Sequence, residues 1–445
     1  FISTELMRPA PGVIPYEVTV ERWMDGYKTQ RWVAIPGSGS ITLKADSKPA
    51  DYPDGTVFVK HVSHSRGVGR KDVPAETQIL HYDNGRWNPY SYVWRVPPVR
   101  FSEPLDGILN ESAATSIKVV TGINEYGRTM GPMRHINAEN ECRMCHNAGA
   151  GFVLGFESNQ LNRAAILPPG TFEPDQLDFL FEKKVIAARP EFPEHNPARL
   201  VDPHDREQSL DDRARSYLHG NCSSCHHPGG NAIVSFFLRR DLPFEKLKTN
   251  KGTGIGTFGI KNAKIIVPGD PYRSILLYRM SKLGYGRMPY IGSKRVDSSG
   301  VSLMTSWIRT MPHDETDKDS AAIRKGTGEQ KALAKLVAGT MPKGLPTLAD
   351  PASVETLLKS TEGALALTGA VHGEQVRRVD MRHAYRSTGS DIRGLIETFI
   401  PEGARRKTLG RNVDPEKLLA VKGESARGKL IFYSDGARCR NCHDL

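Results

Sequence analysis

The chain has 445 residues, a formal net charge of +11 and only 38% hydrophobic residues. No run approaches the ~18 consecutive apolar residues of a membrane-spanning helix, and six cysteines are too sparse for a disulfide-stapled scaffold. A basic surplus invites a nucleic-acid partner, but no helix-turn-helix or RNA-binding signature accompanies it, so steering toward acidic protein partners is its expected use.

The length suggests about three domains. Residues 1–127 are predicted to be β-rich. Glu17–Met24, Arg31–Ile35, Thr56–Val62 and Glu76–Tyr82 carry strand-like patterns separated by Pro-Gly and Asn-Gly breaks. Asn84-Gly85 between two such runs is a strong hairpin signal. The following arm, Arg86–Arg95, places Tyr90, Tyr92 and Trp94 on one face by period-two alternation. Such a stripe is expected in a sheet core; if exposed, it would instead mark a surface for docking carbohydrate or protein. By the same alternation His61 shares a face with Val57 and Val59 and is expected to point inward.

Residues 128–205 surround Cys142-Arg143-Met144-Cys145-His146, with helices predicted at Gly155–Arg163 and Pro174–Ile186. Residues 206–312 open with a helix, Ser209–His219, that runs into Cys222-Ser223-Ser224-Cys225-His226. A Gly-rich stretch follows. Gly254-Ile255-Gly256-Thr257-Phe258-Gly259 matches GxGxxG, but it sits at no strand-to-helix turn and has no acidic residue about 20 positions on, so it reads as a loop. Next come Pro268-Gly269-Asp270-Pro271, a helix at Tyr272–Ser281, Arg287-Met288-Pro289 and a closing helix at Ser298–Arg309. Residues 313–424 are expected to be a polar helical linker. Residues 425–445 begin another module, with a helix leading into Cys439-Arg440-Asn441-Cys442-His443. The chain starts at Phe1 rather than Met and stops two residues after that motif, so it is expected to be a fragment of a longer polypeptide.

All six cysteines therefore belong to CxxCH motifs, the attachment signal for c-type haem. Two intervening residues make a tight turn that sets both sulfurs along one porphyrin edge, and the next residue offers a neutral imidazole to the iron. Zinc also binds CxxC pairs, but it does not require a histidine directly after the second cysteine. With 14 histidines in 445 residues, three such placements by chance have odds of about (14/445)³, or about 3 in 100,000. Thioether formation belongs to an exported compartment, so a periplasmic or otherwise exported location is expected from the motif.

The proximal ligands are expected to be His146, His226 and His443. For haem II, Met288 in its Gly-Arg-Met-Pro loop is the expected second ligand, and a soft thioether raises the potential relative to two histidines. The order of elements over 206–312 (leading helix, haem motif, loops, Met loop, closing helix) is that of a small class I cytochrome c. For haem I no methionine lies between Cys145 and Cys222. His61 is the expected distal ligand, closing the β-region over haem I, with His64, His81, His195 and His204 as weaker candidates. Haem III, with nothing after Leu445, is expected to be exposed, five-coordinate or absent. The expected fold is thus α+β and multidomain: a β-rich, sandwich-like domain followed by α-helical cytochrome c domains.

The chain resembles the multihaem c-type cytochrome modules of planctomycete-like bacteria. The resemblance rests on Gly55–His61, Glu141–Asn147, Gly155-Phe156, Gln160-Leu161-Asn162-Arg163, Arg213–Leu218, Asn221–His226, Pro268-Gly269-Asp270-Pro271 with Ser274, and Arg287-Met288-Pro289. Leu357–Leu365, Arg393–Leu409 and Gly428–His443 look like the entry to a planctomycete-type haem-binding domain. Such modules are often fused to, or encoded beside, soluble β-propeller sugar dehydrogenases that use pyrroloquinoline quinone. The resemblance implies single-electron transfer from a sugar or alcohol dehydrogenase to a downstream acceptor. A dihaem cytochrome c peroxidase-like enzyme is the alternative, which would need one haem with a displaceable distal site.

Overall fold

The computed structural model describes residues 9–44, 49–95, 106–110, 114–124, 129–166, 172–173, 175–254, 256–313, 351–373, 381–406, 416 and 419–434. They form a mixed α+β protein that divides into two compact units, residues 1–249 with 289–303 and residues 250–288 with 304–445. The stretch 206–312, expected as one module, contributes to both. No helix among the described residues is long and apolar enough to cross a membrane.

The first unit is built on one six-stranded antiparallel sheet whose strands lie in chain order: β1 (Val13–Tyr16), β2 (Lys28–Ala34), β3 (Val57–His64), β4 (Val73–Asp83), β5 (Arg86–Arg95) and β6 (Asp106–Leu109). β5 has the predicted bounds. The turn before it holds Asn84 at φ 49° and Gly85 at φ 76°, the left-handed pair that suits a tight hairpin between right-twisted strands. A sandwich-like pair of sheets is not what forms among the described residues. Beyond the meander there are short ribbons, such as β7 (Thr115–Lys118) paired with β8 (Met133–Ile136). The segment Glu17–Met24, predicted as a strand, is irregular. Two of its backbone N–H groups go to buried side chains, Val20 N to Gln160 Oε1 at 2.9 Å and Glu17 N to Gln176 Oε1 at 2.7 Å, while Thr19 N donates to the Gln160 carbonyl at 2.9 Å. A strand pattern was satisfied here by amide side chains rather than by a ladder.

β3 is an inner strand covered on both sides. Val33, Phe58, Leu80 and Trp87 pack with Phe156, Leu161, Leu177 and Leu180 in one core cluster. The last four come from the segment after the first CxxCH, where α2 (Ser158–Leu161) and α3 (Gln176–Glu182) form. Phe156 meets Tyr16 edge-on at 4.9 Å and Phe58 at 5.0 Å. Residues 1–127 and 128–205 thus share a core. A second anchor is the ion pair between Glu76 and Arg134, 2.9 Å apart and almost wholly buried, with Ser91 Oγ also donating to Glu76 at 2.7 Å.

α4 (Leu210–Cys222) is capped by Ser209, whose hydroxyl accepts from Asp212 N, as the pattern of a capping serine and early acidic residues predicts. It lies against the irregular segment so closely that a Cβ placed on Gly220 would be 2.5 Å from Val20 Cγ1. The final helix of this region, Ser298–Thr310, begins after Asp297, whose carboxylate accepts from Gly300 N at 3.0 Å and from the Tyr217 hydroxyl at 2.9 Å.

In the second unit, Pro268-Gly269-Asp270-Pro271 is a locked turn. Gly269 takes φ 80°, Asp270 Oδ1 accepts from Tyr272 N at 3.1 Å, and Ser274 Oγ donates to Asp270 O while accepting from Val267 N. A short helix (Ile275–Met280) follows. The stretch expected to be a polar linker is not merely that in its described part. Thr361–His372 buries Ala364, Leu365, Ala366 and Leu367. Thr361 Oγ1 donates to Phe258 O at 2.9 Å, and the Tyr278 hydroxyl donates to Asp391 O at 3.0 Å. Residues far apart in sequence thereby share this unit's core.

Candidate haem site

Two helices deliver the first two motifs in the same way. α1 (Glu139–Arg143) carries Cys142 near its end, and α4 ends on Cys222. In each motif the carbonyl of the first cysteine accepts from the N–H of the second cysteine and from that of the histidine. The distances are 3.1 and 2.9 Å in the first motif and 3.2 and 2.9 Å in the second. Both CxxCH segments therefore close the same turn, which brings each cysteine pair onto one side with its histidine one residue further on.

The first motif opens on a cleft with a cavity volume of about 270 Å³ that is open to solvent on one side. Cys142, Cys145 and His146 line it, with apolar walls that include Val18, Val20, Phe58, Leu80 and Leu154. His146 Nδ1 donates to Phe152 O at 2.6 Å. That bond fixes the tautomer and leaves Nε2 with its lone pair, the arrangement that prepares an imidazole for a metal. Burial holds this histidine neutral, pushing its pKa down to about 4. Arg22, Arg31 and Lys60 supply positive charge to the walls. Arg31 is committed to Glu21 at 2.6 Å. Burial, with Arg31 nearby, pushes the Lys60 amine down to about 7. Thiols, a prepared imidazole, apolar walls and cations for two carboxylates fit a covalently attached porphyrin.

The second motif is more enclosed. Burial pushes the Cys222 thiol up to about 12 and Cys142 up to about 11. His226 is buried and stacks on Phe236 with ring centroids 4.2 Å apart. Ser223, Ser224 and His227 of this motif line the first motif's cleft. The two motifs also touch. Arg22 lies between them, with Nη2 3.7 Å from Cys145 Sγ and Nη1 3.4 Å from Ser224 Oγ, and Asn231 Nδ2 donates to Met144 O at 3.2 Å. Among the described residues no group of three or more His, Cys, Asp and Glu side chains is arranged to hold a bare metal ion.

His61 is buried, as its pattern implies, but it does not line the cleft. Phe58 and Lys60 face the cleft and the aromatic core, so alternation sends His61 to the opposite side of the sheet. There it is 2% exposed, with Nδ1 2.9 Å from Thr77 Oγ1 and its ring edge-on to Trp94. The expectation failed because β3 is buried on both faces, so inward pointing did not mean pointing at the haem segment. His64, His81, His195 and His204 line no part of the cleft either. The other methionine, lysine and histidine side chains lining the cleft are Met24, Lys60, His219 and His227. His219 is occupied by Glu157 at 2.6 Å and by Arg240 N at 3.2 Å. His227 is 9% exposed. Met24, Lys60 and Arg22 carry no motif, and only the irregular path of residues 17–24 brings two of them in.

Met288 lies in the second unit, half-buried, with its N–H donating to Arg279 O at 2.8 Å. Cys439, Cys442 and His443 lie outside the described residues. Of the aromatic stripe, Trp94 is buried and donates to Thr77 Oγ1 at 2.8 Å, Tyr92 is half-buried and only Tyr90, 41% exposed, faces solvent. The stripe is therefore largely sheet core. No protein-family model, curated protein or solved structure matches this chain.

Proposed function

We propose that this chain is an exported multihaem c-type cytochrome that carries single electrons: its donor is a sugar or alcohol dehydrogenase, of the pyrroloquinoline-quinone type that the resemblance implies, and its acceptor lies downstream. The observation that carries the reading is the pair of identical CxxCH turns, the first with its imidazole tied back through Nδ1 to Phe152 O inside an apolar cleft. When bound, haem supplies a one-electron Fe(III)/Fe(II) couple.

The chain's own residues have separable tasks. Cys142 with Cys145, and Cys222 with Cys225, hold the porphyrins. In each linkage a thiol adds across a vinyl double bond; the S–C bond forms, the thiol proton passes to the neighbouring carbon, and no oxidant is consumed. His146 and His226 would each offer an imidazole to an iron. Met288 is proposed as the second ligand of haem II, where a thioether favours Fe(II). Cys439, Cys442 and His443 are proposed to hold a third haem. Lys60, on the cleft wall, would offer a cation to a carboxylate of haem I.

The test is expression in a host with c-type maturation, followed by intact-mass measurement and a pyridine haemochrome assay. The expected result is covalent haem at 142/145 and 222/225. Bare thiols or coordinated zinc in exported material would overturn the reading. Peroxide turnover by a high-spin haem would replace electron transfer with the peroxidase-like alternative.

A further inference from the structure

His227 directly follows the histidine of the second motif, yet it lines the cleft of the first, together with Cys142, Cys145 and His146. All of these residues lie in the first unit. The side chain is buried, and its Nδ1 is 3.1 Å from Pro228 O. A carbonyl oxygen only accepts, so Nδ1 carries the proton and Nε2 of the neutral ring keeps a bare lone pair. Nε2 is itself buried and has no hydrogen-bond partner among the described residues. A buried polar atom in that state is uncommon and calls for a missing partner. His146 is prepared in the same way, with Nδ1 tied at 2.6 Å to the carbonyl of Phe152. Glycines border the His227 ring. A Cβ on Gly149, itself a cleft residue, would lie 3.4 Å from Cε1, and one on Gly230 would lie 2.9 Å from Nε2. Side chains at those two places would crowd the ring edge that carries the lone pair.

We infer that His227 is the second axial ligand of haem I: the first motif supplies the thioethers and His146, and the residue after the second motif supplies the other imidazole. This rests on the haem reading above and deepens it, because the CxxCH spacing names no distal ligand. Nε2 donates its lone pair to the iron; no proton moves, since that atom carries none, and nothing is oxidised or reduced. The other candidates in the cleft have other commitments. His219 uses both ring nitrogens, on Glu157 Oε1 at 2.6 Å and on Arg240 N at 3.2 Å. Met24 belongs to a separate core cluster with Tyr27, Val62 and Val73. Lys60 is the cation proposed above for a carboxylate. A second nitrogen ligand in place of a thioether sets a lower potential for haem I, and a filled sixth position closes it to peroxide.

The experiment uses the full chain, matured for c-type haem, with Cys222→Ala, Cys225→Ala, Cys439→Ala and Cys442→Ala, so that only the 142/145 site loads. One haem per chain in a pyridine haemochrome assay establishes the parent reading at this site. No haem here or in the unsubstituted chain overturns that reading. If haem loads only in the unsubstituted chain, the same spectra are taken there, the change then being that of one haem. The ferric protein is expected to be low-spin, with the near-infrared magnetic circular dichroism band of two nitrogen ligands. His227→Ala is expected to turn haem I high-spin and open it to carbon monoxide with haem content unchanged, and added imidazole to restore the low-spin spectrum. Lys60→Ala is expected to leave the spectrum as it was. A low-spin spectrum that survives His227→Ala, or is lost in Lys60→Ala, overturns the assignment and leaves the haem reading intact. So does a high-spin spectrum or a sulfur-to-iron band in the protein that keeps His227. Should His227→Ala fail to fold, His227→Met is expected to exchange the nitrogen band for a sulfur-to-iron band, and an unchanged nitrogen band overturns the assignment.

Discussion

His146 and His61 differ in what their Nδ1 atoms touch and in which side of the sheet they serve. His146 donates to a backbone carbonyl and keeps Nε2 for the cleft, whereas His61 is bound into the Thr77–Trp94 cluster on the far side. His61→Ala should therefore leave the low-spin haem spectrum unchanged. It should lower stability by about 1–3 kcal/mol, because a buried side chain and the partner of Thr77 are both lost. Absorption spectroscopy and thermal unfolding of the one variant read both effects; conversion to a high-spin spectrum would return His61 to the ligand set. The alternation that places Val57, Val59 and His61 together was legible and correct as geometry. Its meaning was not, because the neighbouring positions Phe58 and Val62 are buried as well, and only packing tells one covered face from the other.

At the scale of elements, local signals were reliable where local bonds decide structure. The Asn84-Gly85 turn, the arm that follows it and the capped helix leading into Cys222 all form as their residues imply. Glu17–Met24 looks like a strand and is not one, because Gln160 and Gln176 reach in from more than a hundred residues away and take its backbone bonds. The same segment positions Arg22 and Met24 at the cleft, so its fit against α4 controls the site. Gly220→Ala should cost about 1–3 kcal/mol through overpacking against Val20 and should weaken the joint that Arg22 makes. Urea denaturation measures the first effect. A cost near zero would mean that the segment yields easily and that Arg22 is not held by it.

Across the whole molecule the surplus charge of +11 is long-ranged only at low salt, where the Debye length is about 30 Å at 0.01 M against about 8 Å at physiological ionic strength. If acidic redox partners are steered by it, the bimolecular rate of reduction by an acidic dehydrogenase should fall steeply over that range in stopped-flow measurements. A salt-independent rate would leave the charge as a solvated surface. The turn chemistry of the first two motifs and the hairpin were determined by the amino-acid sequence alone, since residue spacing and neighbouring residues decide them. Tertiary structure alone decided the face His61 takes, the placing of Lys60 and Arg22 at the cleft, and the approach of the first two motifs on either side of Arg22. Those depend on which buried surfaces find each other, and close packing selects among surfaces that look equally apolar along the chain.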